Sequence, residues 1–270
     1  MDSIGSNVSI DYKDNTIMRV NPRVHEAINE EWLADKSRQA FDGLKKQRLR
    51  VPLLRKGADF SEQAWEDVLA IIAARLDKVD GKDIAAGIGE FESVENIQAL
   101  KDFLNSLNCF NYEFRKQGSL SIQNNFRSDY TFNSQIECIE DADTIFLVGV
   151  NPRTESPVLN SRILKAVNRK KTKIYNIGTP SDLTYAYNHL GNSAAVLSEI
   201  AAGTHSVCEE LKSAKLPLLI VGHDVLTRVD SQGILGACKK IANDYKFINT
   251  ENGWNGFNIL HRNQGQINAL

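Results

Sequence analysis

The sequence predicts an α/β fold, a doubly wound and mostly parallel sheet carrying a small N-terminal β-hairpin and strap. Three observations point there. Short apolar, β-branched runs alternate with amphipathic runs of ten or so residues, the pattern of parallel strands joined by crossover helices. Four of the expected strands end at a glycine, at Gly87, Gly149, Gly178 and Gly222. Finally, Asp143 to Arg169 holds a whole strand–turn–helix unit. Thr144 to Val148 is apolar enough for a strand buried on both faces. Gly149 and Asn151-Pro152 punctuate its end. Ser156 is the expected N-cap and Pro157 the first helical residue, where a missing N–H costs nothing. Val158, Leu159, Arg162, Ile163, Ala166 and Val167 then recur at helical spacing. The turn lies at the carboxyl end of a strand, where open α/β sheets bind ligands.

The remaining elements follow in chain order. Asn7 to Tyr12 and Thr16 to Val20 alternate around Lys13-Asp14-Asn15, which predicts a hairpin. Residues 21–55 are polar, with a basic run from Lys45 to Arg50, and lack the apolar density of a core. Residues 1–55 therefore form an appendage, and 56–270 the α/β domain. Ser61 is expected to cap a helix bearing Trp65, Val68, Leu69, Ile72 and Leu76 on one face. Lys82 to Ile88 reads as the first sheet strand and Ser93 as the cap of the next helix. Gly87-Ile-Gly89 lacks the third glycine of a dinucleotide fingerprint: Glu92 stands there and would repel a pyrophosphate. Cys109 to Phe114 reads as a short strand, and Lys116 to Asn133 as a polar loop of functional or interface character. Lys173 to Ile177 and Leu216 to Val221 are further strands. Ala194 to Ala202 and Gln232 to Ala242 are helices, and Tyr245 to Ile248 is the expected last strand. The carboxyl ends of the four glycine-terminated strands should form one crevice.

Composition narrows the function. A 42% hydrophobic, 24% charged chain of 270 residues supports a sizeable core. Its net charge of −2 gives no basic field for nucleic acid. No apolar run reaches the ~18 residues of a membrane span. The four cysteines, Cys109, Cys138, Cys208 and Cys238, are scattered, as are the five histidines, His25, His189, His205, His223 and His261. None stands at metal-ligand spacing, and an iron–sulfur cluster wants closely spaced thiolates. His223-Asp224, after Gly222, is a poor acid–base pair, since adjacent loop residues seldom face each other. No nucleophile elbow and no phosphate-binding P-loop occurs.

Gly149-Val-Asn-Pro-Arg153 through Pro157 resembles the G-x-N-P-x-x-x-x-P turn of the molybdopterin oxidoreductase superfamily. Within it the chain is most similar to the branch formed by the large iron–sulfur subunits of respiratory complex I. Collinear segments carry this: Arg19 to Arg38, Ala40 to Leu49, Arg127 to Tyr130 with Asn133, Ile139 to Asp143, Asp182 to Gly191, and Asn258 to Arg262. Departures from the superfamily matter equally. Ala34 stands where molybdenum enzymes carry a cluster cysteine. The superfamily places an acidic residue after the strand that here ends Ile177-Gly178. Leu190-Gly-Asn-Ser193 replaces a turn whose aspartate would read a guanine edge, leaving one hydroxyl.

The resemblance implies a non-catalytic scaffold portion of complex I, with no cofactor or metal on this chain and a vestigial crevice at Gly149, Asn151, Gly178 and Ser193. Iron–sulfur clusters, FMN and NADH would belong to partner chains. A phosphate could still rest at the Ser156-Pro157 helix N-terminus. The cysteine-rich, cluster-bearing half of the family's subunits is expected on a separate chain, beside other peripheral-arm subunits. The expected location is the matrix side of the mitochondrial inner membrane, or the cytoplasmic side of a bacterial plasma membrane. The competing expectation is a catalytic, formate dehydrogenase-like fragment. Residues 1–55 would be the docking strap, with Arg19, Arg23, His25, Trp32, Lys36, Arg38 and Arg48 as interface candidates; the other fate open to it is wrapping its own α/β domain.

Overall fold

The computed structural model describes residues 3–113, 126–263, 265 and 267. Residues 116–125 of the expected polar loop lie outside these. The chain opens with an antiparallel hairpin of β1 (Val8–Lys13) and β2 (Thr16–Pro22). Asp14 and Asn15 turn it with φ of 48° and 56°, the left-handed region that short Asx side chains tolerate. A short helix, α1 (Asp35–Gln39), follows.

Next come β3 (Leu53–Lys56) and β4 (Asp59–Glu62), a second hairpin turning at Gly57. Helix α2 (Trp65–Leu76) then starts from Ala64, which makes no side-chain cap. The expected Ser61 cap is thus corrected: Ser61 lies within β4, where its hydroxyl donates to the Leu54 carbonyl at 3.3 Å. Strands β5 (Ala86–Gly87) and β6 (Tyr112–Glu113) flank α3 (Val94–Ser106), whose cap Ser93 accepts from Asn96 N at 3.3 Å. They form a separate two-stranded parallel pair. Lys82 to Ile88 is therefore not the first strand of the main sheet, and Gly87 does not reach its carboxyl edge.

The main sheet begins at β7 (Thr144–Val148), every residue of which is buried. Helices α4 (Pro152–Glu155) and α5 (Pro157–Lys170) lead to β8 (Lys173–Ile177). Strand β9 (Asn188–Gly191), helix α6 (Ala194–Ala201) and helix α7 (Cys208–Ser213) follow. Strand β10 (Pro217–Gly222) runs into α8 (His223–Leu226) and α9 (Ser231–Asp244). A small hairpin, β11 (Ile248–Asn249) and β12 (Trp254–Asn255), precedes β13 (Phe257–Leu260). The order is β13-β10-β7-β8-β9, with every pairing parallel. Connections leave β7 and β10 in opposite directions, so the switch point lies between them.

Two apolar layers sandwich the sheet. One joins Leu197, Ile200, Leu235, Cys238 and Ile241 to the sheet residues Phe146, Val148, Leu219 and Val221. The other joins Leu159 and Ile163 of α5 to Ile145, Leu147, Leu218 and Ile220. Alternate sheet residues serve opposite layers, as the two-residue period of a strand requires. The expected final strand at Tyr245 to Ile248 is also corrected. Phe247 there is a core anchor, edge-on to Phe146 at 6.0 Å, and β13 takes the sheet position.

The N-terminal segment lies on this chain's own domain. Ile4 enters the α5 layer. Arg162, 5% exposed, donates to the carbonyls of Glu26 and Ile28 and pairs with Glu140 at 2.6 Å. Lys165 pairs with Glu30. Burial alone would raise the Glu30 carboxyl, but the Lys165 hydrogen bond and the Arg162 charge hold it below the ordinary value. Asn29, fully buried, donates to the carbonyls of Arg23, Glu30 and Trp32 and accepts from Asn7 N. These bonds order a segment too polar to form a core.

Replacing Arg162 with methionine keeps its length but strands Glu140 and two carbonyls. We expect Arg162→Met to lose about 3–5 kcal/mol, the usual cost of breaking a buried ion pair. Urea unfolding measures this, and trypsin should cut sooner between residues 19 and 50. Unchanged stability and unchanged cleavage would show that Arg162 does not hold the strap.

Candidate functional site

A crevice of about 310 Å³ opens at the switch point. Val148 to Asn151 line it from the end of β7, and Asn176 to Thr179 from the end of β8. Asn192 to Ala194 close a third side at the start of α6, and Asp224, Val225 and Arg228 a fourth, after β10. Gly149, Asn151, Gly178 and Ser193 thus share one lining, whereas Gly87 lies elsewhere.

Backbone rather than side chains forms the floor. Gly149 takes φ +57°, and a Cβ there would lie 2.5 Å from Val225 Cγ2. A Cβ on Gly222 would lie 2.2 Å from the Gly149 carbonyl oxygen. Only glycine permits such an approach between adjacent strands at their ends. Gly149 N donates to Ile177 O at 2.8 Å, and Gly178 N to Gly191 O at 2.9 Å, which carries the sheet ladder across the turns.

Asn151 starts α4, and its N–H donates to Glu155 Oε1 at 2.7 Å. Asn151 Oδ1 is buried without a hydrogen-bond partner. Ser193 caps α6 by accepting from Ala195 N at 3.1 Å. Ser181 Oγ is buried with no partner. Among the described residues neither hydroxyl hydrogen-bonds to a base. Ser156 is 1% exposed and outside the lining, with α4 ahead of it. The helix end expected to receive a phosphate is therefore closed.

Two lining residues carry carboxyl groups, Glu155 and Asp224. Burial pushes the Glu155 carboxyl above its ordinary value, and the Asp224 charge adds to this. The Asn151 N–H, Arg262 and Lys36 oppose the rise. Arg262 serves both carboxylates, pairing with Asp224 and reaching to 4.0 Å from Glu155 Oε2. Arg228 also lines the crevice, but Asp230 engages it twice, at 2.7 and 2.8 Å. Among the described residues no group of three or more His, Cys, Asp or Glu could hold a metal.

The chain matches the family description "Molybdopterin oxidoreductase" over residues 48–270. It belongs to the molybdopterin oxidoreductase family. Residues 1–42 match "NADH-ubiquinone oxidoreductase NDSU1/NuoG-like, 4Fe-4S domain". Three similar proteins align with the whole chain. An NADH-quinone oxidoreductase subunit from Rickettsia bellii is 40% identical and 39% covered. The mitochondrial NADH dehydrogenase [ubiquinone] iron-sulfur protein 1 of Solanum tuberosum is 39% identical and 36% covered. The NADH-ubiquinone oxidoreductase 75 kDa subunit of Reclinomonas americana is 36% identical and 40% covered. The chain thus spans about two-fifths of these relatives' length. A formyltransferase/hydrolase complex chain from Methylorubrum extorquens, 14% identical, superposes with a TM-score of 0.48 over 78% of this chain and 60% of that one.

The family name implies a molybdopterin group, and this lining does not fit one. A phosphate-bearing pterin needs cationic or N–H-rich reception. Here it would face two carboxyl groups and a guanidinium already held by Asp230. No reaction step is derived through that group.

Most interface candidates point outward. Arg23, His25 and Arg48 are exposed, Trp32 is 55% exposed, and Arg19 pairs with Asp11 on the hairpin surface. Arg38 reaches Asn21 Oδ1 at 3.4 Å. Lys36 turns inward and donates to the Glu155 carbonyl. Sequence reasoning missed Glu155 and Arg228. The Asn-Pro-x-x-Glu spacing from Asn151 was the available signal for Glu155, since it sets a carboxylate over its own helix start.

The raised Glu155 pKa has a directional consequence. The folded state resists ionising this group, so stability falls as pH rises through the interval between 4.5, its ordinary value, and the higher folded value. Glu155→Gln keeps the acceptor for Asn151 N and removes the ionisation. Its melting temperature at pH 7 should exceed that of the parent, and the decline above pH 4.5 should flatten. An unchanged pH profile would contradict the assignment.

Proposed function

We propose that this chain is a non-catalytic scaffold portion of the large iron–sulfur subunit of respiratory complex I. The observation that carries this reading is the crevice lining, two carboxyl groups and a spent guanidinium at the position where an α/β enzyme would receive its phosphate-bearing ligand. Relatives named as complex I subunits over the whole length of the chain support the assembly. The scaffold braces the arm that passes electrons from NADH to ubiquinone. Clusters, FMN and NADH reside on partner chains.

The N-terminal strap contacts the cluster-bearing half of the same subunit. The match of residues 1–42 to a 4Fe-4S domain description supports this, as no cysteine precedes Cys109. Arg19, Arg23, His25, Trp32, Arg38 and Arg48 supply the contact from the outward side of a strap whose inward side is fixed by Arg162. Arginine and tryptophan are the residue types that dominate interface energies once buried. The assembly sits peripherally on the matrix side of the mitochondrial inner membrane, a placement supported by the mitochondrial relative from Solanum tuberosum. No helix among the described residues is long and apolar enough to cross a membrane.

Three measurements test the reading. On native gels the chain should migrate with NADH dehydrogenase activity; migration apart from it would refute the assignment. The purified chain should show no stoichiometric iron or molybdenum, and micromolar GMP or GDP should leave its melting temperature unchanged. A shift of several degrees would reveal a working nucleotide site.

A further inference from the structure

The crevice offers a phosphate no counter-charge, yet its own polar groups share one character. Glu155 Oε1 accepts from Asn151 N at 2.7 Å, which fixes the carboxyl, while Glu155 Oε2 is buried with no hydrogen-bond partner. Asn151 Oδ1 and Ser181 Oγ, also on the lining, are buried in the same condition. Asn151 and Glu155 stand at the two ends of α4, and Ser181 in the segment between β8 and β9. The amide and carboxylate oxygens are pure acceptors, and a hydroxyl can accept as well. Such atoms occur elsewhere, at Ser37, Asp143 and Ser156, but none of those residues lines the crevice. Here three share one cavity, and each costs free energy until a donor reaches it.

The neighbouring cations are spent on other oxygens. Asp230 holds Arg228 through two bonds. Arg262 donates to Asp224 Oδ1 at 2.5 Å and stays 4.0 Å from Glu155 Oε2. Lys36 donates to the Glu155 backbone carbonyl at 2.5 Å. The second Glu155 oxygen is thus left facing a cavity whose other walls are apolar, with Val148, Ile177, Leu197 and Val225 among them. Apolar walls with a few polar groups are the usual make-up of a small-molecule pocket, and about 310 Å³ lies at the small end of the range for such pockets.

We propose that the crevice binds a small primary amine in its ammonium form, the ammonium seated on Glu155 Oε2 and a short hydrocarbon body lying against Val148, Ile177, Leu197 and Val225. A primary ammonium carries three donors and no acceptor, so it answers Asn151 and Ser181 as well as Glu155. An alcohol of the same shape forgoes the charge-assisted bond, and an anion of the same size meets like charge. Binding is also coupled to a proton. Burial raises the Glu155 carboxyl and the Asn151 N–H opposes this; Asp224 raises it further, against Arg262 and Lys36. The ammonium needs Glu155 ionised, so affinity rises with pH through the folded Glu155 value and levels off above it. The choice of ligand rests on the reading above at one point, the exclusion of phosphate-bearing ligands, and is independent of the assembly.

The test is a calorimetric titration of the purified full chain with three probes of one shape: phenethylamine, phenethyl alcohol and phenylacetate. At neutral pH the amine should bind at least about tenfold more tightly than the alcohol, and phenylacetate should not bind. Lowering the pH to 4.5, below the folded Glu155 value, should weaken the amine. Glu155→Gln keeps an acceptor for Asn151 N but sets an amide donor or a neutral oxygen where Oε2 stood, and should weaken the amine at least about tenfold. Its melting curve establishes that the variant is folded, and the probe series on the parent chain stands without it. Equal binding of amine and alcohol would overturn the proposal. So would amine binding that ignores both pH and Glu155→Gln, or no binding of any probe at millimolar concentration. If no probe binds and GMP does not bind either, the amine site alone fails. If phenylacetate or GMP binds, the exclusion of anionic ligands fails with it.

Discussion

The contact on which the site depends is the near-touch of two main chains, Gly149 and Gly222, at the ends of adjacent parallel strands. Parallel strands that diverge at their ends make a crevice, and here the chain turns away in opposite directions after β7 and β10. The left-handed Gly149 lets α4 start at once, which swings Glu155 back over the Asn151 N–H. Val225, placed by α8, then fills the space that any side chain at 149 would need. Any larger residue at these positions would wedge β7 from β10 and detach the two helical layers from a shared sheet.

Much of this was legible in the residues. Strands β7 and β10 are near-continuous apolar runs because both faces are buried, and such runs have few other readings. Helices α5, α6 and α9 show clear apolar stripes, though only α6 has the expected side-chain cap: Ser193 accepts from Ala195 N, whereas Ser156 makes no cap bond at the start of α5. Gly149 and Gly178 were legible because glycine at a strand's carboxyl end marks a turn, and Asn151 and Ser193 because they precede helices. What failed did so for identifiable reasons. Ser61 looks like a cap, but Gly57 supplies a turn that draws the segment into a hairpin. Tyr245 to Ile248 looks like a strand because aromatic anchors and strands share residue types. Strand β9 is only half-buried, and β13 carries the fully buried Asn258, so neither shows a clean apolar run. Asn258 is tolerated because its amide is spent on Ser134 N, Ser134 Oγ and Gly256 O.

Polar groups divide the labour between site and scaffold. The Arg162, Glu140, Glu30 and Lys165 cluster is satisfied and ties the strap to α5. Asn151 Oδ1, Glu155 Oε2 and Ser181 Oγ in the crevice lack hydrogen-bond partners, as do Ser37 Oγ, Asp143 Oδ1 and Ser156 Oγ outside it. Unsatisfied buried groups cost free energy, so they persist where something other than stability maintains them.

None of the residues of α2 is buried, so its apolar face is displayed to other unfinished chains and to proteases. Aggregation and degradation both act on such surfaces. Left uncovered, Trp65, Leu69 and Ile72 put the chain within reach of both.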